Sequence, residues 1–220
     1  MKIGILGSGN MGRVLGGVWA DNGHEVFFGS RDAGKSKQLA VEVGRGTKGG
    51  TNDEAAKASE TILLTARHLP STFLSNVAVL GGKVVIDVNN REIPPNFRFP
   101  QMPVQSFAQQ VQEDAPGAMV VKAFNTIAQE LWDHPPETLA KYNVACFLAG
   151  DSDRGKAITT ALVRQTGLTP IDCGTLQHAW MLEASADLVR LLIMERRMGP
   201  WTTLTVATLP KAEPRYGGRR

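Results

Sequence analysis

The sequence is short of cysteine and of long apolar runs, and each shortage excludes a class of protein. Only Cys146 and Cys173 are present, without the Cys or Cys/His spacing of a zinc site or a disulfide framework. We therefore expect no metal, and a reducing compartment, the cytoplasm. The N-terminus reaches Gly4 before an apolar signal-peptide core can form, and no segment has about 20 uncharged apolar residues, so we expect neither secretion nor a membrane partner.

Charge and composition describe an ordinary globular chain with a small excess of glycine. Lys and Arg number 24 against 21 Asp and Glu, a surplus too small to indicate a nucleic-acid partner. At roughly 100 to 200 residues per domain, the 220 residues correspond to one domain, with or without a small annex. The 23 glycines indicate turns and places where a ligand approaches the backbone.

Strand-like and helix-like segments alternate along most of the chain. Strands are predicted at 3–6, 25–29, 61–65, 83–88, 119–123, 144–149 and 169–172. Helices are predicted at 11–22, 33–43, 51–59, 71–76 and 104–112, from 127 onward and at 153–166. Because several strands are apolar on both faces, the pattern predicts an α/β protein with a doubly wound, mostly parallel sheet over residues 1–174.

Beyond Cys173 the pattern changes to one long helix over residues 176–197, which predicts a small helical C-terminal annex over residues 175–209. We expect its apolar stripe to pack on the sheet domain, or alternatively to pair with a second copy of the chain. The stripe consists of Met181, Ala184, Leu188, Leu191 and Leu192. The polar residues 210–220 are expected to form a flexible tail.

The strongest motif is Gly-Ser-Gly-Asn-Met-Gly at residues 7–12, which directly follows the first strand and opens the first helix. In this setting the GxGxxG spacing is typical of dinucleotide binding. We expect Gly7 to permit the tight turn, Gly9 to let a pyrophosphate approach the backbone, and Gly12 to let the helix pack on the strand. The helix N-terminus then holds the diphosphate.

The type of dinucleotide is set about 20 residues further on, where an NAD site has an acidic side chain. Here the second strand ends in Ser30 and Arg31, whose hydroxyl and permanently charged guanidinium are suited to bind a 2′-phosphate. Lys35 follows one helical turn later as a second cation. Asp32 is the competing residue, but its place just after the strand suits a helix N-cap. The sequence therefore predicts NADP(H).

Polar side chains also follow the later strands, where ligands bind in a doubly wound sheet. Four residues at the end of the strand at 61–65 are expected to flank the cofactor: Thr65, Ala66, Arg67 and His68. His68 is a proton donor, a substrate contact or merely polar surface. Asn89 and Asn125 follow two further strands, as ligands of nicotinamide, ribose or substrate, or as turn and cap residues.

Together these segments resemble a known family. The segments that carry the resemblance are 7–12, 29–31, 121–126 (VKAFNT), 150–151 and 170–174. They look like those of the NADP oxidoreductase, coenzyme F420-dependent family, and the similarity runs from Met1 to about Leu209. The resemblance implies an NAD(P)-binding Rossmann fold, hydride transfer between NADP(H) and the deazaflavin F420, and a homodimer formed through the C-terminal helix. The cytosolic reductase domain of the six-transmembrane metalloreductases, which passes electrons from NADPH to a flavin, belongs to the same group.

The resemblance can be carried over residue by residue. The family's pyrophosphate loop falls on Ser8, Gly9, Asn10 and Met11, and its 2′-phosphate set on Ser30, Arg31 and Lys35. Two places depart from the deazaflavin enzymes, because Ala66-Arg67 replaces an Ile-Pro pair and Asn125 replaces a His. Both lie where the deazaflavin would rest, so the second substrate is F420 or a flavin, FMN or FAD. We expect it to lie near Arg67, His68, Asn89 and Asn125.

The function predicted from the sequence is hydride transfer between NADP(H) and a flavin or deazaflavin. Such a transfer requires stacked rings rather than an acid/base pair of side chains. An imine or pyrroline-carboxylate-type reductase is the first alternative, but the chain after Cys173 is too short for its helical substrate domain. The second alternative is a redox sensor that binds NADP(H) without catalysis.

Overall fold

A computed structural model describes residues 1–97 and 105–210, and its strands form one eight-stranded sheet in the order β3-β2-β1-β4-β5-β6-β7-β8. All neighbouring strands are parallel except β6 and β7, which are antiparallel. The strands are β1 (Lys2–Leu6), β2 (Glu25–Ser30), β3 (Lys48–Thr51), β4 (Thr61–Leu64), β5 (Val84–Asp87), β6 (Met119–Lys122), β7 (Ala145–Gly150) and β8 (Thr169–Asp172). The α/β, mostly parallel sheet predicted from the sequence is confirmed.

Helices cover both faces of the sheet. They are α1 (Asn10–Asp21), α2 (Ala33–Val43), α3 (Asn52–Ala58), α4 (Phe107–Asp114), α5 (Pro136–Lys141), α6 (Asp153–Gln165) and α7 (Ala179–Arg190). Alternate residues of the central strands enter two separate cores. Ile5 of β1 and Leu63 of β4 belong to the core beneath α1 and α6, whereas Leu6 and Leu64 belong to the core beneath α3 and α4. None of the described helices is long and apolar enough to cross a membrane.

The register of the parallel strands aligns their carboxyl ends in one row. Leu6 of β1 lies opposite Gly29 of β2 and Leu64 of β4. The row continues from Leu64 to Asp87 of β5 and from Asp87 to Lys122 of β6. The residues that follow these five positions therefore meet along one edge of the sheet, which is where ligands bind in this architecture.

Three sequence predictions of secondary structure are wrong. The strand β3 was not predicted, because its sequence, Lys-Gly-Gly-Thr, has no apolar alternation. Gly49 is needed there because a side chain would collide with the Ser36 backbone. The segments predicted as helices at 71–76 and from 127 form short 3₁₀ turns, Pro70–Thr72, Val77–Leu80 and Gln129–Asp133, with α5 following the last. Short segments without periodicity leave these choices to tertiary packing.

The long C-terminal helix exists, but its buried face differs from the prediction. The 3₁₀ turn Leu176–His178, α7 and the π-helical turn Leu191–Glu195 follow one another without a break. Met181 and Leu188, expected to pack on the sheet domain or to pair with a second copy, are 48% and 50% exposed, so they do not pack on the sheet domain. The buried face instead carries Glu183 and Asp187, 2% and 6% exposed, because both carboxylates pair with cations of the sheet domain.

Several sequence predictions concern residues outside the described ranges, or a domain division that the structure does not test. Helix α4 begins at Phe107, and residues 98–104 of the proline-rich segment before it lie outside the described residues. Residues 211–220 of the predicted flexible tail also lie outside them. The division into a domain at 1–174 and an annex at 175–209 stays a prediction, since α7 packs directly against the sheet domain through buried residues such as Leu182 and Ala186.

Candidate functional site

A cleft runs along the carboxyl edge of β2, β1, β4, β5 and β6 and consists of two adjoining cavities. The β2-side cavity, about 470 Å³, is lined by residues that include Ser30 and Arg31. The α7-side cavity, about 410 Å³, is lined by residues that include Asn125 and Arg190. Gly9, Thr65 and Arg67 line both cavities and mark their junction.

The glycine turn at residues 7–12 forms the floor of the junction. Gly7 has φ +115°, and a Cβ there would lie 2.6 Å from the Thr65 hydroxyl oxygen. A Cβ on Gly12 would lie 2.8 Å from the Ile5 side chain, whereas one on Gly9 would meet no atom within 4 Å. Gly7 and Gly12 therefore serve the turn and the packing of α1, and Gly9 keeps an open face toward the cleft.

The N-terminus of α1 points its free N–H groups at this open face. The N-cap residue, Gly9, has no side chain to accept from the first turn, and no acidic side chain lies in that turn. The Thr65 hydroxyl lies 3.1 Å from the Leu6 carbonyl oxygen and 3.0 Å from that of Gly7, which ties the turn to the end of β4. A twelve-residue helix with uncapped N–H groups at a cleft is suited to bind an anion such as a diphosphate.

The β2-side cavity holds Ser30 and Arg31, two of the three residues predicted to bind a 2′-phosphate. The Ser8 hydroxyl donates to Ser30 Oγ at 3.4 Å, and Arg31 is exposed beside them. Asp32 caps α2, accepting from the Gly34 N–H at 2.9 Å, so its carboxylate is used in the role that the sequence predicts. Lys35 is exposed and does not line the cavity, and its contact with a phosphate stays a prediction.

The sequence analysis missed Asn52, the first residue of α3. Asn52 lines the β2-side cavity, is 5% exposed, and its Oδ1 atom has no hydrogen-bond partner among the described residues. A buried, unpaired amide oxygen is costly unless a ligand supplies a donor. The signal that could have found it is weak, because Thr51 and Glu54 around it form a capping box that accounts for the polar sequence there.

The α7-side cavity contains two further unpaired polar atoms. Asn125 donates its amide to Asn90 Oδ1 at 2.9 Å and to the Leu182 carbonyl at 2.8 Å. Its own Oδ1 and the hydroxyl of Thr126 are buried and have no partner among the described residues. Both residues line the cavity. These two atoms are available to a ligand that offers both a donor and an acceptor, as a carboxamide does.

Phe124 directs these two residues into the cleft. It has φ +60°, a left-handed conformation that is unusual for an aromatic residue, and its side chain is fully buried. Its ring packs edge-on against Trp19 with centroids 6.0 Å apart, and Trp132 lies 6.5 Å away on another side. The two tryptophans hold the strained turn, so that the chain leaves β6 with Asn125 at the cavity wall.

A buried group of charges lies beneath the α7-side cavity. The Lys122 ammonium is fully buried and contacts Asp87 Oδ2 and Glu183 Oε1, each at 2.7 Å. It also donates to the backbone carbonyl of Asn89. Glu183 in turn accepts from the Phe107 N–H at 3.0 Å. The ammonium thus joins β5, β6, α4 and α7, and the sequence signal for it was a lone lysine in an otherwise apolar strand.

Burial is the largest influence on the pKa of Glu183. Desolvation raises the pKa of Glu183 above its usual value of 4.5, and the attraction of the Lys122 ammonium only partly opposes it. The neighbouring Asp87 carboxylate adds to the rise. The carboxylate is therefore stabilised mainly by its contact with Lys122, and removing that contact would leave it buried and unpaired.

The predicted acceptor residues divide between the two cavities. Arg67, Asn89 and Asn125 line the α7-side cavity, whereas His68 is exposed and lines only the β2-side cavity. Asn89 braces the strand ends, since its Nδ2 donates to the Leu64 carbonyl at 3.0 Å and to the Ala66 carbonyl at 3.1 Å. The structure thus brings three of the four residues together, and their roles toward a ligand stay predictions.

Comparison with known proteins gives consistent matches. Residues 2–91 match the family described as NADP oxidoreductase, coenzyme F420-dependent. The metalloreductase STEAP3 of Rattus norvegicus is 30% identical over 184 residues, which are 83% of this chain but only 36% of that protein. The F420-dependent NADP reductase of Methanothermobacter marburgensis is 30% identical over 219 residues, 90% of this chain and 95% of that one.

A solved structure supports the fold. The crystal structure of a protein from Arthrobacter sp. FB24, described as a candidate F420-dependent NADP reductase, superposes with a TM-score of 0.80. The two chains are 24% identical, and the match covers 94% of this chain and all of the other. At that identity the likeness establishes the Rossmann-like architecture alone. The sequence match to the Methanothermobacter reductase, which spans nearly the whole of both chains, goes further: this chain belongs to the coenzyme F420-dependent NADP oxidoreductase family.

Proposed function

We propose that the protein transfers a hydride between NADP(H) and a flavin or deazaflavin ring, with F420, FMN and FAD as the acceptors to test. Family membership makes the protein an NADP-dependent oxidoreductase. The observation that carries the rest is the single cleft, in which the β2-side cavity leads past the glycine turn into a second cavity of similar size. Such a cleft has room for an extended dinucleotide and a second molecule end to end.

The residues of the cleft fit NADP(H) in one orientation along the cleft. Ser30 and Arg31 would hold the 2′-phosphate, and the N-terminus of α1 at Gly9 the diphosphate. The nicotinamide half would then enter the α7-side cavity, where the unpaired Asn125 Oδ1 and Thr126 hydroxyl are available for its carboxamide. The opposite direction would leave the 2′-phosphate without Arg31.

Hydride transfer between two rings does not require acid–base catalysis by side chains. When bound, the dinucleotide supplies the hydride and the acceptor ring receives it, so the protein must hold two rings at near-attack distance and exclude water. The walls of the α7-side cavity contribute apolar surface from Val88, Ala186, Val189 and Ile193. Asn89, fixed by Asp87 and by two backbone carbonyls, keeps the ends of β4 and β5 in place beneath them.

The acceptor is the finer part of the proposal. The rat relative is named a metalloreductase and the archaeal relatives are named F420-dependent NADP reductases, so the relatives' names differ in the final acceptor. The α7-side cavity is lined by Arg67 and Asn125, at the two positions where this chain departs from the deazaflavin pattern. A flavin is therefore tested beside F420.

The test is the oxidation of NADPH by the purified protein, followed by absorbance with F420, FMN or FAD in turn. Turnover with at least one of them is expected, and NADH in place of NADPH is the matched control. NADPH that binds tightly but is not oxidised by any of the three would contradict the proposal and support a redox sensor. NADPH oxidation with a cyclic imine, but with none of F420, FMN and FAD, would instead support the imine-reductase alternative.

We also propose a homodimer, formed through the outer face of α7 and the π-helical turn after it. Met181 and Leu188, seven residues apart and therefore on one face of α7, are 48% and 50% exposed, and Met194 of the turn that follows is 59% exposed. Sedimentation velocity should give a dimer for the wild type and a monomer for Leu188→Glu. A monomeric wild type at micromolar concentration would contradict the proposal.

A further inference from the structure

Three arginines converge at the α7 end of the cleft. Arg67 follows β4, Arg91 follows β5, and Arg190 is the last residue of α7. Arg67 and Arg190 both line the α7-side cavity. Burial lowers the pKa of Arg190, the charges of Asp187 and Glu183 oppose that fall, and the charges of Arg67 and Arg91 add to it. The Arg190 guanidinium is therefore close enough to those of Arg67 and Arg91 for their charges to repel it.

The nearby carboxylates neutralise only part of this charge. Asp187 is committed to Arg91, whose Nε and Nη2 approach its Oδ2 at 2.6 Å and 2.5 Å. The same carboxylate reaches Arg190 only at 3.7 Å. Glu130 is the one carboxylate among the described residues that line the cavity, and it accepts from the Gln129 amide at 3.3 Å. Of the two carboxylates that act on Arg190, Asp187 is thus paired with Arg91 and Glu183 with Lys122.

Arg67 and Arg190 keep donors available. Arg67 is exposed and makes no hydrogen bond or ion pair with the described residues. Arg190 donates through Nη1 to the Arg91 carbonyl at 2.9 Å, and its contact with Asp187 uses the same nitrogen. Its Nε and Nη2 atoms have no described partner. The guanidinium groups of Arg67 and Arg190, with free N–H groups at one cavity wall, are suited to bind a group with several anionic oxygens.

The dinucleotide does not account for the charge of Arg190. Its 2′-phosphate and diphosphate fall, by the proposal above, on Ser30, Arg31 and the N-terminus of α1. Arg190 does not line the β2-side cavity. Arg190 therefore lies beyond the nicotinamide end of the cleft and faces the second molecule, and Arg67, at the junction of the two cavities, shares the α7-side cavity with it.

We propose that Arg67 and Arg190 form a phosphate subsite for the acceptor, so that the protein selects a ring compound carrying a phosphorylated side chain over the same ring without it. This inference rests on the proposed function, because it concerns the second substrate of the same cleft. Phosphate fits better than a single carboxylate, since one guanidinium fork is enough for a carboxylate and two forks can share the oxygens of a phosphate.

FMN and riboflavin test the subsite directly, because they share one ring system and differ in a single phosphate. F420 and its deazaflavin chromophore without the phosphorylated tail form a second pair. Binding of each compound is measured by fluorescence titration with NADP⁺ present, and turnover by NADPH oxidation. The wild type should prefer the phosphorylated member of the pair it binds by about tenfold or more, the size expected for hydrogen bonds to a charged group.

Arg67→Gln and Arg190→Gln should each reduce this preference about tenfold, since each removes one charged fork. Arg190→Lys keeps the charge and should retain part of the preference, which guards against a folding defect in the glutamine variant. Arg164→Gln is the matched control, because Arg164 is exposed on α6 and lines neither cavity. The NADPH affinity of every variant is measured in parallel.

The outcomes separate the subsite from the function. Equal binding and turnover of both members of a pair would overturn the subsite and leave the proposed function standing. A phosphate preference in binding without any NADPH oxidation would support the subsite and contradict the proposed function. A loss of NADPH affinity in Arg67→Gln with the acceptor preference intact would overturn the subsite and assign Arg67 to the dinucleotide. Failure of all four compounds to bind would overturn both.

Discussion

The two ends of the cleft are built in different ways. At the β2 end the residues assigned to the phosphates of the dinucleotide come from two short stretches of sequence, the turn at 7–12 and the strand end at Ser30 and Arg31. The α7 end combines Arg67, Asn89, Asn125 and Arg190, which come from four separate parts of the chain. The glycine spacing of the first end is dictated by the backbone geometry of one turn, whereas the second end depends on where a distant helix packs.

The contrast extends to what holds each end together. At the β2 end the contacts are single hydrogen bonds at exposed or partly buried positions, such as those of the Thr65 hydroxyl to the Leu6 and Gly7 carbonyls and the Asp32 cap on α2. At the α7 end the fully buried Lys122 ammonium joins Asp87 of β5 to Glu183 of α7. We therefore expect the first end to respond mainly in ligand affinity when mutated, and the second mainly in stability and in the choice of acceptor.

The largest expected effect is at the α7 end. Lys122→Met leaves the buried carboxylates of Asp87 and Glu183 without their cation and should lower the free energy of unfolding by about 3 to 5 kcal/mol, measured by urea denaturation. The triple variant that also carries Asp87→Asn and Glu183→Gln removes the stranded charges and should recover part of that loss. A Lys122→Met protein as stable as the wild type would show that α7 does not depend on this ion group.

At the β2 end the expected effect is on cofactor choice. Ser30→Ala combined with Arg31→Ala should weaken NADPH binding by about 30-fold or more and leave NADH nearly unaffected, since hydrogen bonds to a charged group contribute about 1.5 to 3 kcal/mol. Isothermal titration of both nucleotides measures it. Lys35→Ala is the informative companion, because Lys35 does not line the cavity and a small effect is expected. Unchanged NADPH affinity in the double variant would refute the 2′-phosphate assignment.

A smaller effect is expected from Thr126→Val, which removes a buried hydroxyl that has no partner among the described residues. A structural role predicts lower stability, whereas a ligand-binding role predicts unchanged or slightly higher stability with NADPH affinity reduced about tenfold. Thermal unfolding and nucleotide titration on the same samples separate the two. A variant that loses stability but binds NADPH normally would show that the hydroxyl serves the fold.

The smallest expected effect is a pH dependence at the α7 end. Because burial raises the pKa of Glu183 in the folded state, the folded protein holds this proton more tightly than the unfolded chain does. The stabilisation is fully present below the usual value of 4.5 and is lost as the pH rises through the raised value. Comparing wild type with Glu183→Gln by denaturation across this range isolates the contribution. The same slope in both proteins would contradict it.

The sequence predicted the local structure at the β2 end of the cleft better than it predicted the α7 end. The strand–turn–helix at 7–12, the cap at Asp32 and the helix at 33–43 appear as predicted, because each depends on neighbours within a few residues. Of the two expectations for the apolar stripe of α7, packing on the sheet domain is wrong for Met181 and Leu188, which are exposed, and pairing with a second copy stays a prediction. The ion pairs of Glu183 and Asp187 place these two residues on the buried face of α7. They join residues 61 and 96 positions apart in the chain, which the local sequence does not reveal.

The sequence by itself determined the class of fold and the dinucleotide turn, since strand hydrophobicity and glycine spacing are local properties that any tertiary packing must respect. Only the tertiary structure decided the second half of the cleft. The positive φ of Phe124, held by Trp19, turns Asn125 toward the cavity, and the buried Lys122 draws α7 across the strand ends. Charges that are costly to bury alone become stable once they are paired, and that pairing brings Arg190 to the cleft beside Arg67.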